Sequence, residues 1–149
     1  MSLFVTRRKR LLRNLKKSGS GSLLVTNFKN VTYLTGFMGD DSYLLLDKQT
    51  CVLISDGRYR TQLAEECPDL DVYIRPTGQS MSKAVSRVVT QSRLKELGIE
   101  STSMSVSLHE ELASVLPQVT MVTQSGSVEN LRQIKDAHEI SIIRRAVKI

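Results

Sequence analysis

The chain has 149 residues, 40% of them apolar and 24% charged, with no tryptophan and two cysteines. That is about one domain, long enough to bury a core of Val, Leu, Ile and Met without disulfides or metals. The net charge of +6 belongs to one segment: Arg7, Arg8, Lys9, Arg10, Arg13, Lys16 and Lys17 stand together without an acid, and the rest of the chain carries 14 basic and 15 acidic residues. A nucleic-acid face spread over a folded surface is not what this distribution describes. No apolar run approaches the roughly 18 residues of a membrane span, and the basic start lacks the apolar stretch of a signal peptide. Cys51 and Cys67 form no CxxC pair, which removes zinc-ribbon and thioredoxin readings. Cys51 opens an apolar run and reads as a buried small hydrophobe.

In chain order, Phe4, Leu11, Leu12 and Leu15 recur at helical spacing, which predicts an amphipathic first helix with a solvated basic face. Ser18-Gly19-Ser20-Gly21-Ser22 breaks it. Leu23-Leu24-Val25-Thr26 has strand character. Gly39-Asp40-Asp41 reads as a turn, and Tyr43-Leu44-Leu45-Leu46 with Cys51-Val52-Leu53-Ile54 as a hairpin of buried strands. A helix over 58–66, with Tyr59, Leu63 and Cys67 on one side, is stopped by Pro68. Val72-Tyr73-Ile74 is a strand. Met81, Ala84, Val85, Val88 and Val89 define a strongly amphipathic helix, with Gly98 where a C-terminal cap belongs. Met104-Ser105-Val106-Ser107 alternates like a half-buried strand. Ser107 and Glu110 form a capping box for a helix that runs to Pro117 with Leu108, Leu112, Val115 and Leu116 inward. Val119-Thr120-Met121-Val122 is the last strand. Ser125-Gly126-Ser127 resembles a linker. Asp136 and Glu139 form a second capping box, ahead of a stripe of Ile140, Ile143 and Val147. The expected fold is α/β: about six strands in a mixed sheet, because of the early hairpin, flanked by helices.

Signals for chemistry are few. There is no phosphate-binding glycine loop between strand and helix and no GxSxG elbow. His109 and His138 each lie in the first turn of a helix beside a Glu and read as exposed helix-start residues. Asp40-Asp41, Asp56 and Glu65-Glu66 invite a two-metal nuclease reading. That chemistry needs a carboxylate presented from the central strands, and Leu23-Leu24-Val25-Thr26 has none. These acids read instead as turn formers and caps.

Three segments together carry a resemblance. Asn30-Val31-Thr32-Tyr33-Leu34-Thr35-Gly36-Phe37 resembles an "N-x-x-Y-L-T-G-F" signature, and Asp56-Gly57-Arg58-Tyr59 a "D-x-R-Y" signature. Leu131-Arg132-Gln133-Ile134-Lys135, then Glu139-Ile140 and Arg144-Arg145-Ala146, resembles the opening of a "pita-bread" catalytic domain. The chain is similar in these respects to the creatinase/Xaa-Pro peptidase family (aminopeptidase P, prolidase). The resemblance implies a ribonuclease H-like, non-catalytic N-terminal domain over 1–126, then a linker and the first helix of a truncated catalytic domain over 127–149. It implies signature roles, structural or bordering the active-site cleft, for Tyr33, Gly36, Phe37, Asp56, Arg58 and Tyr59. Arg58 would brace a loop carboxylate, with Asp40, Asp41 or Asp56 as partner. No catalytic, cofactor-binding or metal-binding residue is assigned in this chain. Two divalent metals (Mn, Co or Zn), held by two Asp, one His and two Glu, are implied for the catalytic domain downstream. The implied partners are that catalytic domain, a second copy of the chain, and proline-containing peptides for the parent protein, with no nucleic acid and no membrane. A cytoplasmic location is expected. The alternatives are a stand-alone interaction domain and, behind it, a nuclease or nucleic-acid binder.

Overall fold

The computed structural model describes residues 2–148. Helix α1 (Leu3–Lys17) leads into β1 (Ser22–Val25), α2 (Phe28–Thr35) and the hairpin of β2 (Tyr43–Asp47) and β3 (Cys51–Asp56). A short 3-10 turn, Gly57–Tyr59, passes into α3 (Arg60–Glu66). Then come β4 (Asp71–Arg75), α4 (Met81–Gln91), β5 (Glu96–Glu100), α5 (Val106–Val115), β6 (Thr120–Gln124), α6 (Glu129–Gln133) and α7 (Ala137–Val147). The six strands form one sheet in the order β4-β3-β2-β1-β5-β6. The β1–β2 and β2–β3 pairs are antiparallel, and the other three are parallel. This is the mixed α/β sheet flanked by helices that the residue pattern predicts.

Alternation along the strands builds two cores, one on each face. Leu23, Val25, Leu44, Leu46 and Leu53 meet Leu11, Leu15, Val31, Leu34, Leu63 and Leu131 on one side. Leu24, Leu45, Ile54, Leu97 and Ile99 meet Ala84, Val85, Val88, Val89 and Leu112 on the other. A strand covered on both faces reads as a continuous apolar run, which is why β1 and β2 look so uniform in sequence. The hairpin turn is set by Asp47, whose Oδ1 accepts from the Thr50 amide at 2.7 Å, an Asx-type closure. Cys67 belongs to the first core and Cys51 packs half-buried against it. Burial raises the pKa of both thiols, as suits inert hydrophobes.

Four local expectations differ from the structure. Gly98 does not cap α4; it lies inside β5. The helix ends earlier at Ser92, and Arg93 takes the left-handed turn at φ 55°. The strand expected over 104–107 is absent, and the strand of that region is β5. Residue Ser105, not Ser107, caps α5, its side chain accepting from the Leu108 amide at 3.1 Å. Finally, the basic face of α1 is not wholly solvated. Arg7 lies one turn before Leu11 on the same face and is buried.

Candidate functional site

The two signature segments meet at the end of β3. Gly36 ends α2 in the left-handed conformation, φ 83°, and its amide closes on the Thr32 carbonyl at 2.8 Å. Only glycine adopts that angle freely, and a Cβ there would also lie 2.6 Å from the Phe4 ring of α1. The chain then turns back. Thr32 Oγ1 donates to the Phe37 carbonyl at 2.7 Å, and the Met38 amide donates to Glu66 at 2.9 Å. Phe37 is fully buried and meets Tyr59 edge to face, centroids 5.4 Å apart, a favoured aromatic geometry. The Tyr59 hydroxyl donates to the Asp40 carboxylate. This bond, then partial burial, raises the tyrosine's pKa.

Asp56 accepts from the Arg58 amide at 2.9 Å and from its guanidinium at 2.7 Å, and Arg58 reaches on to Asp41 at 3.2 Å. Of the three partners expected for Arg58, the structure selects Asp56 and Asp41; Asp40 goes to Tyr59. Arg75, in register with Asp56 on the neighbouring strand, adds a contact at 3.5 Å. The Arg58 side-chain bonds above all hold the Asp56 carboxyl down to a pKa of about 2. A depressed carboxylate contributes stability above its unfolded pKa of about 3.9 and loses it as pH falls through the folded value. Acid titration of the thermal midpoint should therefore show a falling limb between about pH 4 and pH 2, and Asp56→Asn should flatten it. An unchanged limb in that variant would mean other acids carry it.

Tyr33 sits elsewhere, at the junction of α1, α2 and α7. Arg7 fills this junction. Its Nε donates to Asp136 at 3.0 Å, Nη1 to the Tyr33 carbonyl at 2.8 Å, and Nη2 lies 3.3 Å from Glu139. The guanidinium also stacks 4.0 Å from the Tyr33 ring centroid, a favourable cation–π arrangement. Asp136 and Glu139 form the capping box of α7 predicted from sequence. Burial pushes the Asp136 carboxyl up, but the Glu139 amide and Arg7 outweigh it, and its pKa is lowered. Arg7 thus ties the start of α7 to the first core. Arg7→Ala should free α7 from α1, seen as faster amide exchange at Glu139 and Ile140 with β1 unchanged. Arg7→Lys should rescue little, because an ammonium cannot serve all three acceptors in one plane. Protection at Glu139 and Ile140 in both variants equal to that of the native chain would remove this role.

Sequence reasoning missed a third centre, at the ends of β1 and β5. Glu100, 4% exposed, accepts from the Thr26 and Asn27 amides at 2.7 and 2.9 Å and from Asn30 Nδ2 at 2.6 Å. Asn30 also donates to Glu129 at 2.7 Å and accepts from Arg132 at 2.9 Å. Here is the central-strand carboxylate absent from β1, but its acceptor capacity is spent on protein donors. Asn30 was visible as the first letter of its motif; Glu100 was hidden with the unrecognised strand. His109 and His138 are exposed, as expected. Among the described residues no three His, Cys, Asp or Glu side chains cluster to hold a metal ion. No helix among the described residues is long and apolar enough to cross a membrane.

A mixed six-strand sheet with helices on both faces, these signature segments and this capped terminal helix define an N-terminal domain of the Xaa-Pro peptidase type. Residues 7–134 match the family model for the Creatinase/Prolidase N-terminal domain, and the chain belongs to that family. It is 31% identical to the uncharacterized peptidase YqhT of Bacillus subtilis over 93% of this chain and 39% of that protein. It is 35% identical to the crystal structure of the N-terminal domain of the cytoplasmic peptidase PepQ from Mycobacterium tuberculosis. That match has a TM-score of 0.78 and covers 85% of this chain and 98% of that one. The Xaa-Pro dipeptidase of Bacillus anthracis shares the fold at TM-score 0.88 and 23% identity, over 95% of this chain and 39% of that one. The chain therefore spans about two-fifths of the length of the curated relatives it matches.

Proposed function

We propose that this chain is the non-catalytic N-terminal domain of a metal-dependent Xaa-Pro dipeptidase or aminopeptidase, that it borders the active-site cleft, and that it supports homo-oligomerisation. Residues 1–126 form the domain in this reading, and 127–149 supply the linker and first helix of the catalytic domain. The observation that carries it is the state of α7. Its polar start is clamped to the domain by Arg7, while Ile142, Ile143 and Val147 are 44%, 49% and 80% exposed. An exposed apolar helix face of this kind marks an interaction site, and the relatives' greater length supplies a catalytic domain to cover it. The loop carrying Met38, 72% exposed, is held rigidly by Thr32, Glu66 and Tyr59, as a cleft wall requires. The metals and the cleavage of proline-containing peptides belong to the downstream domain, and the parent enzyme acts in the cytoplasm.

The isolated chain, supplied with Mn, Co or Zn, is expected to hydrolyse no Xaa-Pro dipeptide or tripeptide. The source gene read beyond codon 149 is expected to continue in frame through spaced Asp, Asp, His, Glu and Glu codons. Hydrolysis by the isolated chain would sink the non-catalytic assignment, and a frame lacking those five residues would sink the peptidase.

A further inference from the structure

The last turn of α2 is fastened by side chains of another helix. The final carbonyls of a helix have no partner within it. Here the Thr32 carbonyl accepts from the Gly36 amide, the Tyr33 carbonyl from Arg7 Nη1 and the Leu34 carbonyl from Arg8 Nη1, each at 2.8 Å. Two adjacent arginines of α1 therefore cap α2, and cations suit the negative end of a helix dipole. The loop that follows is built directly on this turn. Thr32 Oγ1 donates to the Phe37 carbonyl at 2.7 Å, and Thr35 Oγ1 accepts from the Phe37 amide at 3.1 Å. The exposed Met38 comes next.

Arg7 serves a second element with the same guanidinium. Its Nε donates to Asp136 at 3.0 Å and its Nη2 lies 3.3 Å from Glu139, both at the start of α7. A guanidinium is a rigid plane, so its bonds shift together. A movement of the Asp136 carboxylate turns that plane and draws Nη1 off the Tyr33 carbonyl. Among the described residues Arg8 makes no bond to α7, and no hydrogen bond or ion pair joins α7 directly to residues 36–38. No side chain of α7 enters either core, so its polar start is what fixes it to this domain.

We infer that Arg7 is a relay: the position of α7 sets the order of the loop over 36–38, through the last turn of α2. This rests on the reading above of that loop as a cleft wall and of α7 as the start of the catalytic domain. A downstream domain that covers α7 then steadies the wall of the cleft, and by linkage a peptide held against the wall steadies α7.

The test is amide exchange in the chain carrying Asp136→Ala. Glu139 should exchange faster as α7 is released. The Gly36, Phe37 and Met38 amides should follow, by roughly fivefold or more, while Leu45 and Leu53 of the hairpin keep their native rates. Arg8→Ala unfastens the same turn of α2 without touching α7, so it should quicken the three loop amides and leave Glu139 at its native rate. Loop amides at native rates in either variant overturn the relay. So does Glu139 at its native rate in Asp136→Ala, because α7 is then held by something else. Quickening of every amide together, hairpin included, is general destabilisation and overturns it as well. Each of these outcomes leaves the peptidase reading intact, whereas a source gene lacking the catalytic codons sinks that reading and leaves the coupling in place.

Discussion

Gly98→Ala is expected to destabilise the fold by about 3 kcal/mol, at the upper end of overpacking costs. Gly98 lies in β5, beside β1, and an added Cβ would sit 2.2 Å from the Ser22 carbonyl oxygen and 3.1 Å from Ser20 Oγ. The nearer atom is backbone, in a strand pinned on both sides by β2 and β5, so it cannot swing aside as a side-chain tip would. Either β1 moves or β5 does, and both cores register the shift. Ser22 ties the strands further: its Oγ donates to the Glu96 carbonyl at 2.9 Å. The measurement is urea unfolding, reading the midpoint with the slope held common. A loss under about 0.5 kcal/mol, the range of an innocuous surface change, would mean that the strands separate there without strain.

Glu100→Ala should cost a similar amount, about 3 kcal/mol, because it strands buried donors as well as deleting a side chain. The Thr26 and Asn27 amides stand at the entrance to α2, where a carboxylate also meets the favourable end of the helix dipole. Asn30 would lose one of its two acceptors. Glu100→Gln keeps the shape but turns one acceptor atom into a donor among donors, so a smaller loss of about 1–2 kcal/mol is expected. Amide exchange at Thr26 and Asn27 separates this account from general destabilisation. Both amides should open selectively in Glu100→Ala. Uniform acceleration across the sheet would show that the carboxylate serves no local purpose.

Much of this architecture was legible in the residues. The hairpin of β2 and β3, the amphipathic face of α4, the helix over 58–66 and the capping box of Asp136 and Glu139 all stand where pattern placed them. Each depends on contacts within a few residues, or on an apolar period that any suitable partner satisfies. The signature residues were legible as a set, and Phe37–Tyr59 and Asp56–Arg58 do come together. That Tyr33 belongs with Arg7 and Asp136 was not legible, because that contact joins residues 129 apart. The reading of 96–107 failed for a related reason. Met104-Ser105-Val106-Ser107 alternates as a strand would, yet Ser105 is a helix cap; Leu97-Gly98-Ile99 is too short and too glycine-broken to announce the strand it forms.

Sequence by itself determined the class of fold, its two-faced apolar strands and the polar start of its last helix, since those follow from local propensity and periodicity; its family was legible only through the resemblance of the three signature segments. Tertiary structure alone decided why residue 98 is glycine, why Arg7 turns inward from a basic helix, and what Glu100 is for. Each answer lies in an atom distant along the chain: the Ser22 carbonyl, the Asp136 carboxylate and the Thr26 amide. Close packing and the need to satisfy every buried polar group set these choices, and neither acts until the sheet has brought the distant segments together.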